Sequence, residues 1–209
     1  MLTIPSRARF GLAAFILVAL LGLALAPVVR ADVYQDANDA AMAHKSGNLS
    51  LALMLYTRVI DSGELRPDEM ILAFSHLNRG QILAGMGDVN RALDDYNAAI
   101  MLNPNIETAY LNRGLLYLQA EMLDKALLDF NQAIKLKPDY AKAYHNRGLT
   151  WKAKGNLDKA MADLERSTDL DPTVPMVFYH LGLVQTLKDK NDKAVKTFNT
   201  VADAAKAPA

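Results

Sequence analysis

The 209-residue chain contains no cysteine, and this absence excludes several classes of protein. Without thiols it cannot form a disulfide scaffold, a thiolate zinc site, an iron–sulfur cluster or a cysteine-linked lipid anchor. It also has no excess charge of either sign, because 23 Lys and Arg residues balance 23 Asp and Glu residues. A general nucleic-acid-binding protein usually has a strongly basic patch, so we expect no nucleic-acid partner.

Sequence motifs for catalysis and cofactor binding are absent as well. The four histidines, His44, His76, His145 and His180, include no His-x-x-x-His pair with metal-ligand spacing. The chain has no glycine-rich phosphate loop and no Gly-x-Ser-x-Gly nucleophile motif. We therefore predict no catalytic residue, no metal site and no cofactor, and we expect that the protein is not an enzyme.

Residues 1–31 have the three parts of a secretory signal peptide. Arg7 and Arg9 make the start basic, and residues 10–26 contain no charge. Small residues, Val29 and Ala31, then stand at the two positions that a signal peptidase reads before a cleavage point after Ala31. The sequence predicts cleavage at this point.

An uncleaved membrane anchor is the alternative, because the apolar run reaches the lower length limit for crossing a bilayer. Both possibilities place residues 32–209 outside the cytoplasm. We expect an exported protein in the bacterial periplasm, with a membrane-anchored form facing the periplasm and a secreted form as alternatives.

The rest of the chain repeats with a period of 34 residues. Three Asn-Arg-Gly triplets end at Gly80, Gly114 and Gly148, and one further period reaches Gly182. The same spacing connects Ala92, Ala126, Ala160 and Ala194; Tyr96, Phe130, Leu164 and Phe198; and Pro104, Pro138 and Pro172. A fixed period of this length indicates stacked units, each of which cannot bury its apolar face alone.

This order of aromatic, Gly, Ala, aromatic and Pro residues resembles the tetratricopeptide repeat. The third repeat carries it in full, with Tyr110, Gly114, Tyr117, Ala126, Phe130 and Pro138. The resemblance implies an all-α fold, a right-handed superhelical solenoid of antiparallel helix pairs A and B. Within a repeat domain of residues 32–209 we expect repeats near 73–106, 107–140, 141–174 and 175–206, after a degenerate first repeat near 33–66.

Each repeated residue type has an expected structural role. The glycines are predicted where helix A crosses helix B closely, and the alanines are predicted to supply the matching small surface on helix B. The A–B turns are predicted at Gly87-Asp88, Glu121–Asp124, Gly155-Asn156 and Asn191-Asp192. The prolines end helix B, and the extra length of the first repeat is predicted in residues 62–67.

Arginine and aspartate recur together, sixteen residues apart, in the middle repeats. The pairs are Arg79 with Asp95, Arg113 with Asp129, and Arg147 with Asp163. The first repeat lacks both members and has Asp39 and Leu55 instead. The fifth repeat also lacks both and has Leu181 and Thr197. Joint presence and joint absence predict a structural Arg–Asp bridge from helix A to helix B, which fixes helix register more than it adds stability.

The resemblance also implies a concave face, lined by helix A, that binds peptides or protein segments. By repeat position, this groove contains Leu77, Asn78, Gln81, Leu111, Asn112, Leu115, Leu118, Lys142, His145, Asn146, Leu149, Lys152 and Tyr179. Its middle is apolar, its asparagines form a ladder that can pair with a peptide backbone, and its lysines lie toward the C-terminal half. The alternative is that some of these leucines belong to the core.

We therefore expect a non-catalytic scaffold or adaptor of the bacterial cell envelope that binds a peptide or helix segment of another protein. One alternative is a homo-oligomeric structural protein that assembles through an apolar patch on the last repeat. This patch comprises Val184, Leu187, Val195, Phe198 and Val201. A further alternative is a holdase-like chaperone for exported chains. Membrane contact is expected only if the N-terminal signal segment stays uncleaved.

Overall fold

The computed structural model describes residues 33–62 and 68–204, with side chains to residue 201, and these residues form ten helices and no strand. The helices are α1 (residues 33–45), α2 (Leu49–Asp61), α3 (Glu69–Gly85), α4 (Val89–Leu102), α5 (Glu107–Gln119), α6 (Leu123–Leu136), α7 (Ala141–Ala153), α8 (Leu157–Leu170), α9 (Pro175–Leu187) and α10 (Asn191–Ala204). The predicted signal peptide and most of the predicted insertion lie outside the described residues. Across the described part of the chain, no helix combines the length and hydropathy needed to span a membrane.

The helices pack in consecutive pairs, and each pair packs against the next. We call α1, α3, α5, α7 and α9 the A helices, and the even-numbered helices the B helices. From α3 onward, successive A helices touch one another, whereas within the described residues successive B helices do not. The array therefore curves with the A helices on its inner side, and the predicted fold class, an all-α helical repeat solenoid, is confirmed.

The repeated glycines mark the closest approach within each helix pair. A Cβ atom added to Gly114 would lie 2.7 Å from Cε1 of Phe130, and one added to Gly182 would lie 2.5 Å from Cε1 of Phe198. These distances are shorter than ordinary van der Waals contact. Gly80 likewise meets the ring of Tyr96, so the expectation that the B-helix alanines face the glycines is wrong for these three pairs. At the fourth, a Cβ added to Gly148 would lie 3.2 Å from the carbonyl oxygen of the predicted Ala160 and 3.0 Å from Leu164 Cγ.

The A–B turns use one backbone conformation that also recurs every 34 residues. Gly87 and Gly155 have φ of 82° and 78°, and the equivalent Glu121 and Asp189 have φ of 56° and 55°. Residues other than glycine rarely adopt this left-handed region. The fifth turn therefore precedes the predicted Asn191-Asp192, since Asn191 already begins α10.

The second repeat begins earlier than its predicted start at residue 73. Helix α3 starts at Glu69, because the Asp68 side chain accepts a hydrogen bond from the Met70 amide and caps the helix. The 34-residue period cannot predict this start, because the inserted residues of the first repeat immediately precede it.

We expect the Glu121→Gly variant to be more stable than the natural chain by about 1 kcal/mol, since glycine adopts the left-handed region without a Cβ penalty. Chemical denaturation followed by circular dichroism measures this gain. Gly87→Ala provides the matched control at the equivalent position and should lose a similar amount. Equal stability of all three proteins would contradict this account of the turn.

The three Arg–Asp pairs are bidentate, and each arginine also reaches the preceding repeat. Arg113 Nε and Nη2 donate to Asp129 Oδ2 and Oδ1 at 2.9 and 2.7 Å, while its Nη1 donates to Asn97 Oδ1 at 2.6 Å. The same arrangement joins Arg79 to Asp95 and Thr57, and Arg147 to Asp163 and Asn131. One guanidinium therefore holds three helices together.

The first repeat has an ion pair in a different place. Asp36 of α1 accepts hydrogen bonds from Arg58 of α2, so the acidic and basic positions exchange helices. Aligning the repeats of this chain did not predict this pair, because neither residue stands at the repeat position of the other arginines or aspartates.

Candidate binding groove

The concave face of the solenoid is formed by the A helices and has a pocket at each of its first two steps. The pocket between α1 and α3 has a volume of about 330 Å³. Its lining consists of Tyr34, Ala37, Asn38, Ala41, Tyr56, Met70, Ile71, Phe74, Ser75 and Asn78. Phe74 is 45% exposed and Met70 is also exposed, so large apolar side chains border this pocket and remain open to solvent.

The second pocket, between α3 and α5, has a volume of about 260 Å³. Gln81, Asn112 and Leu115 line it, and Tyr96 of α4 also borders it. Tyr96 is fully buried, and burial raises its pKa to about 12, with the nearby Asp95 charge adding to the rise. Its phenol therefore stays neutral.

The residues predicted for the groove divide between surface and core. Leu77 and Leu111 are 5% and 4% exposed and pack in the hydrophobic core, so the prediction that they line the groove is corrected. The other predicted residues are half-buried or exposed: Asn78, Gln81, Asn112, Leu115, Leu118, Lys142, His145, Asn146, Leu149, Lys152 and Tyr179. They remain available to a bound segment.

The three asparagines of the predicted ladder have different environments. Asn146 Nδ2 donates to the Lys142 carbonyl of its own helix at 2.7 Å. Asn78 lies beside the Tyr56 hydroxyl: burial raises the pKa of Tyr56, and Asn78 partly offsets the rise. The buried Nδ2 of Asn112 meets no acceptor among the described residues. Among the three asparagines, Asn112 is therefore the one whose buried side-chain NH₂ group has no hydrogen-bond partner among the described residues.

The C-terminal half of the concave face contains a histidine pair. His145 Nε2 of α7 lies 2.8 Å from His180 Nδ1 of α9, with the two rings stacked at an interplanar angle of 27°. Burial lowers the pKa of His145 to about 4, and His180 adds to the shift. Burial also lowers the pKa of His180, and the charge of Lys152 lowers it further. Both imidazoles are therefore neutral at neutral pH.

A third histidine belongs to an ion-pair network. His76 Nδ1 lies 2.8 Å from Asp95 Oδ1, the same oxygen that accepts from Arg79. Burial alone would raise the pKa of Asp95, but the hydrogen bonds from Arg79 and His76 outweigh it and lower the pKa. The site is a structural network rather than a candidate for chemistry.

The predicted apolar patch of the last repeat is smaller than expected. Val184 is buried in the core, and Phe198 and Val201 are half-buried. Leu187 and Val195 remain exposed. Among the residues that the structure describes, no cluster of three or more His, Asp or Glu side chains could hold a metal ion.

Sequence reasoning missed two features of the groove. It treated the histidines as isolated residues, although His145 and His180 are separated by one period plus one residue, the spacing of neighbouring A helices. It also left Met70 out of the groove, although Met70 and Phe74 are four residues apart and therefore lie on one helix face.

Comparisons with known proteins agree with the helical repeats. Models of the tetratricopeptide repeat match residues 108–140 and 141–174, and a TPR repeat model matches residues 80–121. No curated protein matches the chain.

Solved structures with a similar fold include MamA 41-end from Desulfovibrio magneticus RS-1, with 22% identity and a TM-score of 0.72 over 84% of this chain and 96% of that one. Another is YrrB, described as a TPR protein with an unusual peptide-binding site, with 20% identity and a TM-score of 0.66 over 81% and 84% of the two chains. At these identities the likeness shows the fold alone.

Proposed function

Because the chain belongs to the tetratricopeptide-repeat family, we propose that it is a non-catalytic scaffold that binds a segment of another protein on its concave face. The observation that carries this proposal is the open pocket between α1 and α3, where Phe74 and Met70 expose apolar surface. Apolar pockets with a few polar groups are the usual form of a binding site. The structurally similar YrrB, described as having a peptide-binding site, supports this choice.

Polar groups along the same face are suited to an extended or helical segment. The unpartnered Nδ2 of Asn112 is a donor whose burial is costly until an acceptor arrives. A carbonyl of a bound backbone is such an acceptor. Leu115, next to Asn112 in the second pocket, supplies apolar contact for a side chain of that segment.

Selection of random 12-residue peptides on the purified protein tests this function. We expect enriched peptides whose affinity, measured by fluorescence anisotropy, falls at least about tenfold in Leu115→Glu, because a charge enters an apolar contact. Leu128→Glu is the matched control, since Leu128 is 70% exposed on the B helix α6, away from the A-helix face.

Thermal unfolding followed by circular dichroism must first show that both variants are folded at the temperature of the binding assay. Failure to enrich any peptide would contradict binding in the groove. Equal affinity of the two variants would contradict binding at the second pocket, which Leu115 lines.

We also propose that the scaffold works in the cell envelope after export. The basic start, the apolar run and the small residues Val29 and Ala31 support this location. Intact mass measurement of the protein from its native cell is expected to give an N-terminus at Asp32. A chain in the cytoplasm that starts at Met1 would contradict export.

A further inference from the structure

The B helix α10 has an apolar side that no described helix covers. Helices α4, α6 and α8 each pack against the A helix that follows them, whereas α10 contacts only α9 among the helices α2–α10. Val195 of α10 is 59% exposed, although its equivalent Leu127 in α6 is 6% exposed. Phe198 is half-buried, although its equivalents Tyr96 and Phe130 are buried. The surface that a following helix buries in earlier repeats therefore stays open on α10 within the described residues.

Helix α6 shows how such a surface is occupied, because α7 packs on it. Two cations of α7 bind acceptors on α6: Arg147 Nη1 donates to Asn131 Oδ1 at 2.7 Å, and Lys154 Nζ donates to Asp124 Oδ1 at 2.6 Å. Arg147 and Lys154 are seven residues apart and therefore lie on one side of α7. Ala143, one turn before Arg147, is fully buried in the same core as the aromatic ring of α6. Small apolar and basic side chains of α7 thus fill the surface of α6 together.

Helix α10 presents the same two acceptors without their cations. Asp192 and Asn199 stand exactly two periods after Asp124 and Asn131. Of the five B helices, only α6 and α10 combine an aspartate and an asparagine at these positions. Both side chains on α10 are exposed, and neither has a hydrogen-bond or ion-pair partner among the described residues. Helix α10 therefore repeats both the apolar and the polar features by which α6 holds α7.

A second copy of this chain does not bring matching cations to that surface. Counting the six extra residues of the first repeat, α1 has Asp39 and Ser46 at the positions that Arg147 and Lys154 occupy in α7. An α1 helix of another copy would therefore place an acid where the arginine is needed. Two α10 helices in contact would bring two copies of Asp192 to one interface, where like charges repel. The charges favour a helix of a different protein.

We propose that the open side of α10 binds a basic amphipathic helix of a partner protein, docked as α7 docks on α6. This helix carries an arginine for Asn199 and, seven residues later, a lysine for Asp192. A small apolar residue one turn before the arginine packs against Phe198, and the arrangement follows the general mode in which an amphipathic helix lays its apolar side on an apolar surface. The scaffold thereby has a second binding surface, separate from the concave groove.

A synthetic peptide that copies residues 140–154 tests this surface on the purified protein. Its Gly148 is replaced by alanine, because the docked peptide crosses no B helix of its own and alanine raises its helix propensity. We expect saturable binding in fluorescence anisotropy, and Val195→Glu should weaken it at least about tenfold because a charge enters an apolar contact. Leu128→Glu, the matched control at a 70% exposed position of α6, should change the affinity less than about twofold.

A charge exchange between peptide and protein tests the ion pair. Replacing the peptide lysine that copies Lys154 by glutamate should weaken binding about three- to fivefold, the range of an exposed ion pair. Asp192→Lys in the protein should restore the affinity of this altered peptide. Asp169→Lys, the same exchange at an exposed aspartate of α8, should not restore it. Circular dichroism must first show that every variant is folded.

Leu115→Glu in the groove should leave binding of this peptide unchanged, so the outcome is independent of the proposed function. No saturable binding, equal effects of Val195→Glu and Leu128→Glu, or restoration by both aspartate variants would overturn the proposal. Sedimentation of the protein without peptide tests the competing occupant. We expect a monomer; a dimer that Val195→Glu dissociates would mean that a second copy covers α10, and it would also overturn the proposal.

Discussion

The Arg113→Leu variant is expected to lose about 3–5 kcal/mol of unfolding free energy, because it leaves a buried aspartate without its partner. Asp129 is 4% exposed and accepts two hydrogen bonds from Arg113. The variant also releases Asn97, which belongs to the preceding repeat. Chemical denaturation followed by circular dichroism at 222 nm measures the loss.

The fifth repeat of the same chain supplies the control for this experiment. It has Leu181 and Thr197 at the positions of the arginine and the aspartate. The double variant Arg113→Leu with Asp129→Thr should therefore regain most of the stability, to within about 1–2 kcal/mol of the natural protein. A double variant as unstable as Arg113→Leu alone would show that the loss does not come from the unpaired carboxylate.

The Phe130→Ala variant is expected to lose about 3–5 kcal/mol, since it removes a fully buried ring from the core. The same ring lies against Gly114, so the two positions should be strongly coupled. In the natural chain, Gly114→Ala is expected to cost about 1–3 kcal/mol, because its Cβ would lie 2.7 Å from Phe130 Cε1. In the Phe130→Ala background, the same change should cost clearly less, because only the 3.2 Å approach to Asp129 Cβ remains.

Gly85→Ala separates this steric effect from helix propensity. A Cβ on Gly85 meets no atom within 4 Å, so the variant should gain up to about 1 kcal/mol. If Gly114→Ala were as favourable as Gly85→Ala in the natural chain, the close approach of α5 and α6 would not be a constraint on the fold.

The period of the sequence was sufficient to predict the solenoid and the Arg–Asp partners, because residues that recur together on paired helices must meet in every repeat. It could not predict which side chains reach the neighbouring repeat. Asn97 and Asn131, for example, carry no local signal, and their contact with an arginine depends on how one pair stacks on the next.

One repeat position shows why the groove was predicted less accurately than the fold. Leu77, Leu111, His145 and Tyr179 are equivalent, yet the two leucines are buried, His145 is half-buried and Tyr179 is 45% exposed. This position lies at the boundary between core and concave face. The chemical type of the side chain determines whether it enters the core or stays on the concave face. Leucine gains free energy by burial, whereas a polar ring keeps its polar atoms accessible.

The N-terminal part of the groove depends on the size of its side chains. Ala37 and Ala41 of α1 leave room for the pocket that Phe74 borders. Small residues at a predicted surface position give no pattern that distinguishes an open pocket from a closely packed helix pair, because the spacing of the two helices is set by the whole repeat.

Site-specific photo-crosslinking of an enriched peptide tests the central claim most directly, because it locates the bound segment on the solenoid. A photoreactive phenylalanine derivative replaces Leu115 on the concave face in one protein and Leu128 on α6 in another. We expect the peptide to crosslink at position 115 and an excess of unlabelled peptide to suppress the product, with no crosslink at position 128. Crosslinking at position 128 alone, or equally at both positions, would contradict binding in the groove.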